Sequence, residues 1–119
     1  MFDKLKAAAG VAGLLKDLPR VQARLLEVKE ELGRVQCAGH SPCRRVRAVM
    51  NGRLELVSVD IDPESMVADS PQARAALQTA VTEAVNDAIR HARREAGQHV
   101  AAAAQELGLP IPPSLLQHL

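Results

Sequence analysis

A chain of 119 residues with one Phe and no Tyr or Trp has room for a single domain, and its core must be built from Ala, Leu, Val and Ile. Each Ala buries little area, so such a core is thin and gains from a second subunit. The formal charge of +1 removes any whole-protein electrostatic case for a nucleic-acid partner and leaves that case to local patches. No apolar run approaches the ~18–20 residues of a membrane span, and Met1–Lys6 leads into no apolar segment of a secretory signal. Cys37 and Cys43 form no CxxC pair and complete no zinc site. Two free thiols in a reducing cytosol are expected, with a disulfide across neighbouring strands as the alternative.

Ala7, Val11, Leu14, Leu18, Val21, Leu25, Val28, Leu32 and Val35 are spaced four and three apart in alternation, the a/d rhythm of a heptad helix. Pro19 interrupts that rhythm. The reading is therefore a loose N-terminal helix over 1–18, weakened further by Gly10 and Gly13, and a firm helix over 19–34. Arg20, Arg24, Glu27, Lys29, Glu30, Glu31 and Arg34 make its solvated face, with both signs of charge.

Residues 35–62 are expected to form a three-stranded antiparallel sheet. The first strand lies within 35–41, and Ser41-Pro42 marks a turn into a hairpin that ends at Asp62-Pro63. Asn51-Gly52 suits the two positive φ angles of a type I′ turn. A two-residue loop there pairs Met50 with Arg53, Ala48 with Glu55 and Val46 with Val57. The hairpin then carries apolar residues on both faces, Val46 and Val57 on one and Val49 and Leu54 on the other.

An exposed loop, with Met66-Val67 as an anchor, leads to a second helix over 70–107. Ser70 is its N-cap, Pro71 its first residue and Gly108 its C′ residue, and Pro110 forbids continuation. Residues 108–119 form a proline-containing tail. The apolar stripe of the helix is Leu77, Val81, Val85 with Ala84, Ala88-Ile89, Ala92, Ala96, Val100 and Leu107. At 1.5 Å per residue the helix is roughly 50–55 Å long. One subunit cannot cover such a length, and a homodimer is the simplest source of a partner.

Catalytic patterns are missing. His40, His91, His99 and His118 are scattered, and His91 with Glu95 is a helical pair rather than HExxH. Asp60 and Asp62 share a strand face but have no general-base partner. The glycines are too dispersed for a phosphate loop. No enzyme activity, metal or cofactor is expected.

Arginine is the chemistry that remains. Arg44, Arg45, Arg47 and Arg53 concentrate positive charge on the hairpin, and Arg90, Arg93 and Arg94, with His91, make a second cluster. A dimer presents both clusters twice, and several arginines neutralising phosphates give salt-dependent, sequence-tolerant binding. No aromatic side chain interleaves them for base stacking, and no base-reading motif is present. The alternative is a solvated surface on which Asp87 or Glu83 absorbs the charge of Arg90.

Four blocks in order resemble the YbaB/EbfC family of bacterial nucleoid-associated proteins: Gln22–Leu32 ending in Glu30-Glu31-Leu32, the Ala38-Gly39-His40-Ser41 turn entry, the Val46–Pro63 hairpin closing on Val59-Asp60-Ile61-Asp62-Pro63, and Ala84-Val85-Asn86-Asp87-Ala88. The tail Leu109-Pro110-Ile111-Pro112-Pro113 is similar to the proline-bearing end of family members. The resemblance covers roughly residues 15–115. It implies an α+β fold of helix, three-stranded antiparallel sheet and long helix (α-β-β-β-α), paired into a tweezer-like homodimer. It also implies binding of double-stranded DNA with little sequence preference, a cytoplasmic, nucleoid-associated location, and an association with recombination or repair proteins. Arg47 falls at a basic position of the family, and Arg90 follows Asn86-Asp87-Ala88 at the family spacing. The competing function is a non-enzymatic protein-interaction module, docking a repair or replication factor through the heptad face, the Ala-rich end of the second helix or Leu109–Leu116.

Overall fold

The computed structural model describes residues 18–108. The loose helix expected over 1–18 and the tail over 108–119 thus lie outside the described residues, apart from Leu18 and Gly108. The elements follow in the order α1 (Leu18–Arg34), β1 (Gln36–His40), β2 (Val46–Asn51), β3 (Leu56–Ile61), a 3-10 turn (Pro63–Met66) and α2 (Pro71–Glu106). This is the α-β-β-β-α, α+β arrangement expected. The strands pair antiparallel in the order β1-β2-β3, so β1 and β3 are both edges.

Local chemistry sets the ends of α2. The Ser70 hydroxyl accepts a hydrogen bond from the Ala73 N–H at 3.0 Å, Pro71 occupies the first turn, and Gly108 at φ +70° takes the left-handed position beyond Leu107. Its 36 residues make a rod of about 54 Å. The radius of gyration is accordingly 20.4 Å, against about 12–14 Å for a compact domain of this size.

The sheet lies across α2, and the buried line of the helix is Ala80, Ala84, Ala88 and Ala92. Four-residue steps keep these alanines on one face, which meets Cys37 of β1 and Val46, Ala48 and Met50 of β2. Of the expected stripe Ala84, Ala88 and Ala92 are buried, whereas Leu77, Val81, Val85 and Ile89 flank this line and are only partly buried. The reason is close approach. A Cβ on Gly39 would overlap the Ala88 nitrogen and lie 2.5 Å from the Ala84 carbonyl oxygen. Where the β1 backbone at Gly39 meets the α2 backbone, the helix presents only the small side chains of Ala84 and Ala88.

The hairpin differs from its expected form. Val46 pairs with Ile61, Ala48 with Val59 and Met50 with Leu56, with an irregularity between Val49 and Met50. Gly52 does not have positive φ; Leu54 does, at +65°. The loop closes with Leu54 N–H donating to the Asn51 carbonyl at 3.1 Å and Asn51 N–H to the Glu55 carbonyl at 3.0 Å. The Asn51 side-chain oxygen also accepts the N–H groups of Arg53 and Glu55, an Asx turn that favours this longer loop over type I′. Gly52 is committed elsewhere: its N–H donates to the Leu32 carbonyl at 2.8 Å, and a Cβ there would lie 2.7 Å from that oxygen. The hairpin tip thus caps the C-terminal end of α1.

The helix α1 runs antiparallel to the C-terminal part of α2. Arg24 donates through Nε to Glu106 at 2.9 Å and through Nη1 to Glu31 at 3.0 Å, while His99 Nδ1 stands 3.8 Å from Glu31. Val28 is buried, but Leu18, Leu25 and Leu26 are 45, 53 and 65 % exposed. Among the described residues, no helix is long and apolar enough to cross a membrane.

Candidate nucleic-acid interface

The turn between β1 and β2 is built around Ser41, which is buried. Its hydroxyl accepts the Val46 N–H at 3.2 Å, and its own N–H donates to the Val46 carbonyl at 3.0 Å. Arg44 N–H donates to the Ser41 carbonyl at 2.9 Å, and Arg44 itself sits at φ +60°. A residue with a side chain is uncommon in that region and is held there by its surroundings. The tight turn puts the Arg44 and Arg45 side chains into solvent. Arg47, one step into β2, is cross-strand from Asp60, and its Nη1 lies 3.6 Å from that carboxylate.

Arg53 is at the other end of the hairpin. Five residue steps of β2 separate the two ends by about 17 Å. The Arg53 Nε donates to the Lys29 carbonyl at 2.9 Å, and its guanidinium lies over Gly33. A cation over the last turns of α1 also complements the negative end of the helix dipole. The four hairpin arginines therefore divide into Arg44, Arg45 and Arg47 at one end and Arg53, docked on α1, at the other.

Arg90, Arg93 and Arg94 stand at i, i+3 and i+4 on α2, and all three are exposed. They share one side of the helix, away from the alanine line. Arg90 Nη2 is 3.3 Å from Asp87. No carboxylate among the described residues lies within ion-pair distance of Arg93, Arg94, Arg44 or Arg45.

Asp87, read from the sequence as a charge partner of Arg90 and as part of the Ala84–Ala88 block, joins the two regions. Its Oδ2 accepts the His40 backbone N–H at 3.0 Å, and its Oδ1 faces Arg90 and, at 3.7 Å, His91 Nε2. The His40 N–H, followed by the neighbouring cationic groups and against some desolvation, holds its carboxyl below the usual range. The other ring nitrogen of His91 lies 2.7 Å from the Ala38 carbonyl. Asp87 and His91 thereby fix the end of β1, and His40 and Pro42 flank a shallow depression shared with Glu83, Asn86 and Arg90. An acidic residue one helical turn before a basic cluster is too common a pattern to reveal this link in advance.

The two thiols are free. Cys37 is buried against α2, and burial pushes its pKa up. Cys43 is exposed in the turn; the Ser41 hydroxyl at 3.3 Å leads the interactions that lower its pKa. Asp60 and Asp62 are engaged in the sheet, through Arg47 and through the Asp62 N–H to the Arg45 carbonyl at 2.8 Å.

The described residues form an elongated α-β-β-β-α protein with arginines exposed on α2 and in the β1–β2 turn. The sequence matches the model of the YbaB/EbfC DNA-binding family over residues 8–107, and the chain belongs to that family. Among solved structures it is similar to the uncharacterized protein HP0035 from Helicobacter pylori, with a TM-score of 0.59 and 21 % identity over 69 % of this chain and 83 % of that one. At that identity the likeness speaks for the fold.

Proposed function

We propose that this protein is a non-enzymatic, nucleoid-associated protein that binds double-stranded DNA as a homodimer with little sequence preference. The observation that carries the reading, beside family membership, is the placement of Arg44, Arg45, Arg93 and Arg94 in solvent without a carboxylate partner among the described residues. Arg47 and Arg90 join them once phosphate displaces Asp60 and Asp87. Arg53 serves first to hold the hairpin tip on α1 and contributes its remaining donors to DNA at most at the edge. Nothing in this set reads bases, so affinity comes from counterion release.

Support for the homodimer is the apolar surface that one protomer leaves bare. Leu56 and Val57 on edge strand β3 are 49 and 52 % exposed, and Met66 and Val67 beyond it are 67 and 70 % exposed. A second copy covering this edge would protect both its apolar side chains and its unpaired backbone groups.

A titration of duplex DNA at several salt concentrations tests the reading. With Arg47 and Arg90 joining these four, a dimer makes up to about twelve phosphate contacts, and the logarithm of affinity should fall against the logarithm of salt with a slope no steeper than about −11. Duplexes of different sequence should bind alike. No complex at low salt would refute DNA binding. The near-neutral charge favours the second reading, a protein-interaction module, which predicts instead that a captured repair or replication factor survives nuclease treatment.

A further inference from the structure

His91 stands between the edge of β1 and the exposed arginines of α2, and its contacts fix where its proton sits. Its Nδ1 lies 2.7 Å from the Ala38 carbonyl oxygen. A carbonyl oxygen only accepts, so Nδ1 carries a hydrogen in both charge states of the ring. In the neutral ring Nε2 therefore holds a lone pair, and it faces Asp87 Oδ1 at 3.7 Å. Two acceptors then oppose each other. A second proton on Nε2 turns that opposition into an ion pair, with the other N–H still on Ala38.

The same Asp87 oxygen holds Arg90, whose Nη2 is 3.3 Å away. Oδ2 accepts the His40 backbone N–H at 3.0 Å, so the carboxylate is anchored to β1 and does not follow Arg90 outward. That bond leads the interactions that hold the Asp87 carboxyl below its usual range, and Asp87 stays ionised wherever imidazoles titrate. Arg90 and His91 thus compete for one oxygen. Around them β1 contributes Cys37, which burial keeps as the thiol, and His40, which shares a depression with Asp87 and Arg90. Arg94 and Glu95 of α2 border His91 on its other side, and Glu95 also has His99 Nε2 at 3.9 Å.

We propose that His91 is a proton-gated residue of the DNA site: on taking its second proton it replaces Arg90 at Asp87 and releases the Arg90 guanidinium to phosphate. The inference rests on the DNA-binding reading given above. Histidine changes charge between about pH 5 and 8, so duplex affinity rises as pH falls across that range. While His91 is neutral, phosphate must displace Asp87 to reach Arg90. Once His91 is charged, that displacement is already made. A dimer gains two freed arginines, and the slope of log affinity against log salt steepens by about 2.

Fluorescence anisotropy of one duplex at pH 8 and pH 6, at several salt concentrations, tests the gate. At about 0.1 M salt the unaltered chain should bind about tenfold more tightly at pH 6, with the steeper slope. His91→Gln keeps a neutral donor for Ala38, and Arg90→Gln removes the exposed group that is released; each should lose most of the gain. His40→Gln leaves the backbone N–H on Asp87 and should retain it. A gain that survives His91→Gln, or one that disappears in His40→Gln, overturns the proposal. Without DNA, nitrogen NMR of the His91 ring should find hydrogen on Nδ1 at pH 8. The Asp87 carboxyl carbon and Arg90 Nε should then shift with the same midpoint as that ring. Separate midpoints overturn the exchange at Asp87 whatever the duplex does. Coincident midpoints with no duplex bound at either pH refute the DNA reading and leave the exchange standing.

Discussion

Replacing Gly39 with Ala adds one methyl group at the closest approach of sheet and helix. The added carbon would overlap the Ala88 nitrogen, 2.5 Å from the Ala84 oxygen and 2.7 Å from the Ala88 Cα. These are backbone atoms of a continuous helix, so no rotamer change relieves them, and β1 must move away from α2 by roughly 1 Å. That shift loosens the contacts of Ala84, Ala88, Cys37 and Met50 together. Overpacking of a well-filled core costs about 1–3 kcal/mol, and a clash confined to backbone belongs at the upper end. At about 4–5 °C per kcal/mol for a domain of this size, the melting temperature should fall by about 12–15 °C. Thermal and urea unfolding of Gly39→Ala, alone and combined with Ala88→Gly, measure it. The double variant should show no rescue, because the Ala88 methyl is not what the new carbon strikes. A loss under about 0.5 kcal/mol, or rescue by Ala88→Gly, would refute the argument from backbone contact.

Other substitutions separate structural from binding arginines. Arg44→Gly removes a side chain held at positive φ, so unfolding should show stability unchanged or raised by up to about 1 kcal/mol, while duplex affinity falls and the salt slope becomes shallower. Arg53→Ala should do the reverse: a stability loss of about 1 kcal/mol from the broken bond to Lys29 and lost packing, seen in urea unfolding, with little change in the salt slope. Asp87 has a lowered folded pKa, so its contribution is present above the ordinary carboxylate range and is lost as pH falls through the folded value. Asp87→Asn should therefore be less stable than the parent at pH 7, and the gap should close as unfolding is followed from pH 5 down to pH 3. A gap that stays constant over that range would contradict the role given to the charge.

The order of elements and the ends of α2 were determined by the sequence alone, because their causes are local. Ser70 and Pro71 start a helix with their own atoms, Gly108 ends one through its own φ, and heptad spacing marks α1 wherever it packs. The candidate arginines were equally visible as residue types. Tertiary structure decided which of them stand together, because the length of β2 carries Arg53 away from Arg44 and Arg45 and onto α1. It also decided the hairpin. Asn51-Gly52 is compatible with a type I′ turn, but the contact of Gly52 with the Leu32 carbonyl, twenty residues back along the chain, accompanies a longer loop with the positive φ at Leu54. Periodicity likewise located an apolar side of α2 without distinguishing the line of alanines from the neighbouring Leu, Val and Ile. The backbone of Gly39 made that distinction, since where it meets α2 the helix presents only the small side chains of Ala84 and Ala88. Short-range signals are carried by the residues that form them, whereas register and burial depend on which distant backbone comes close.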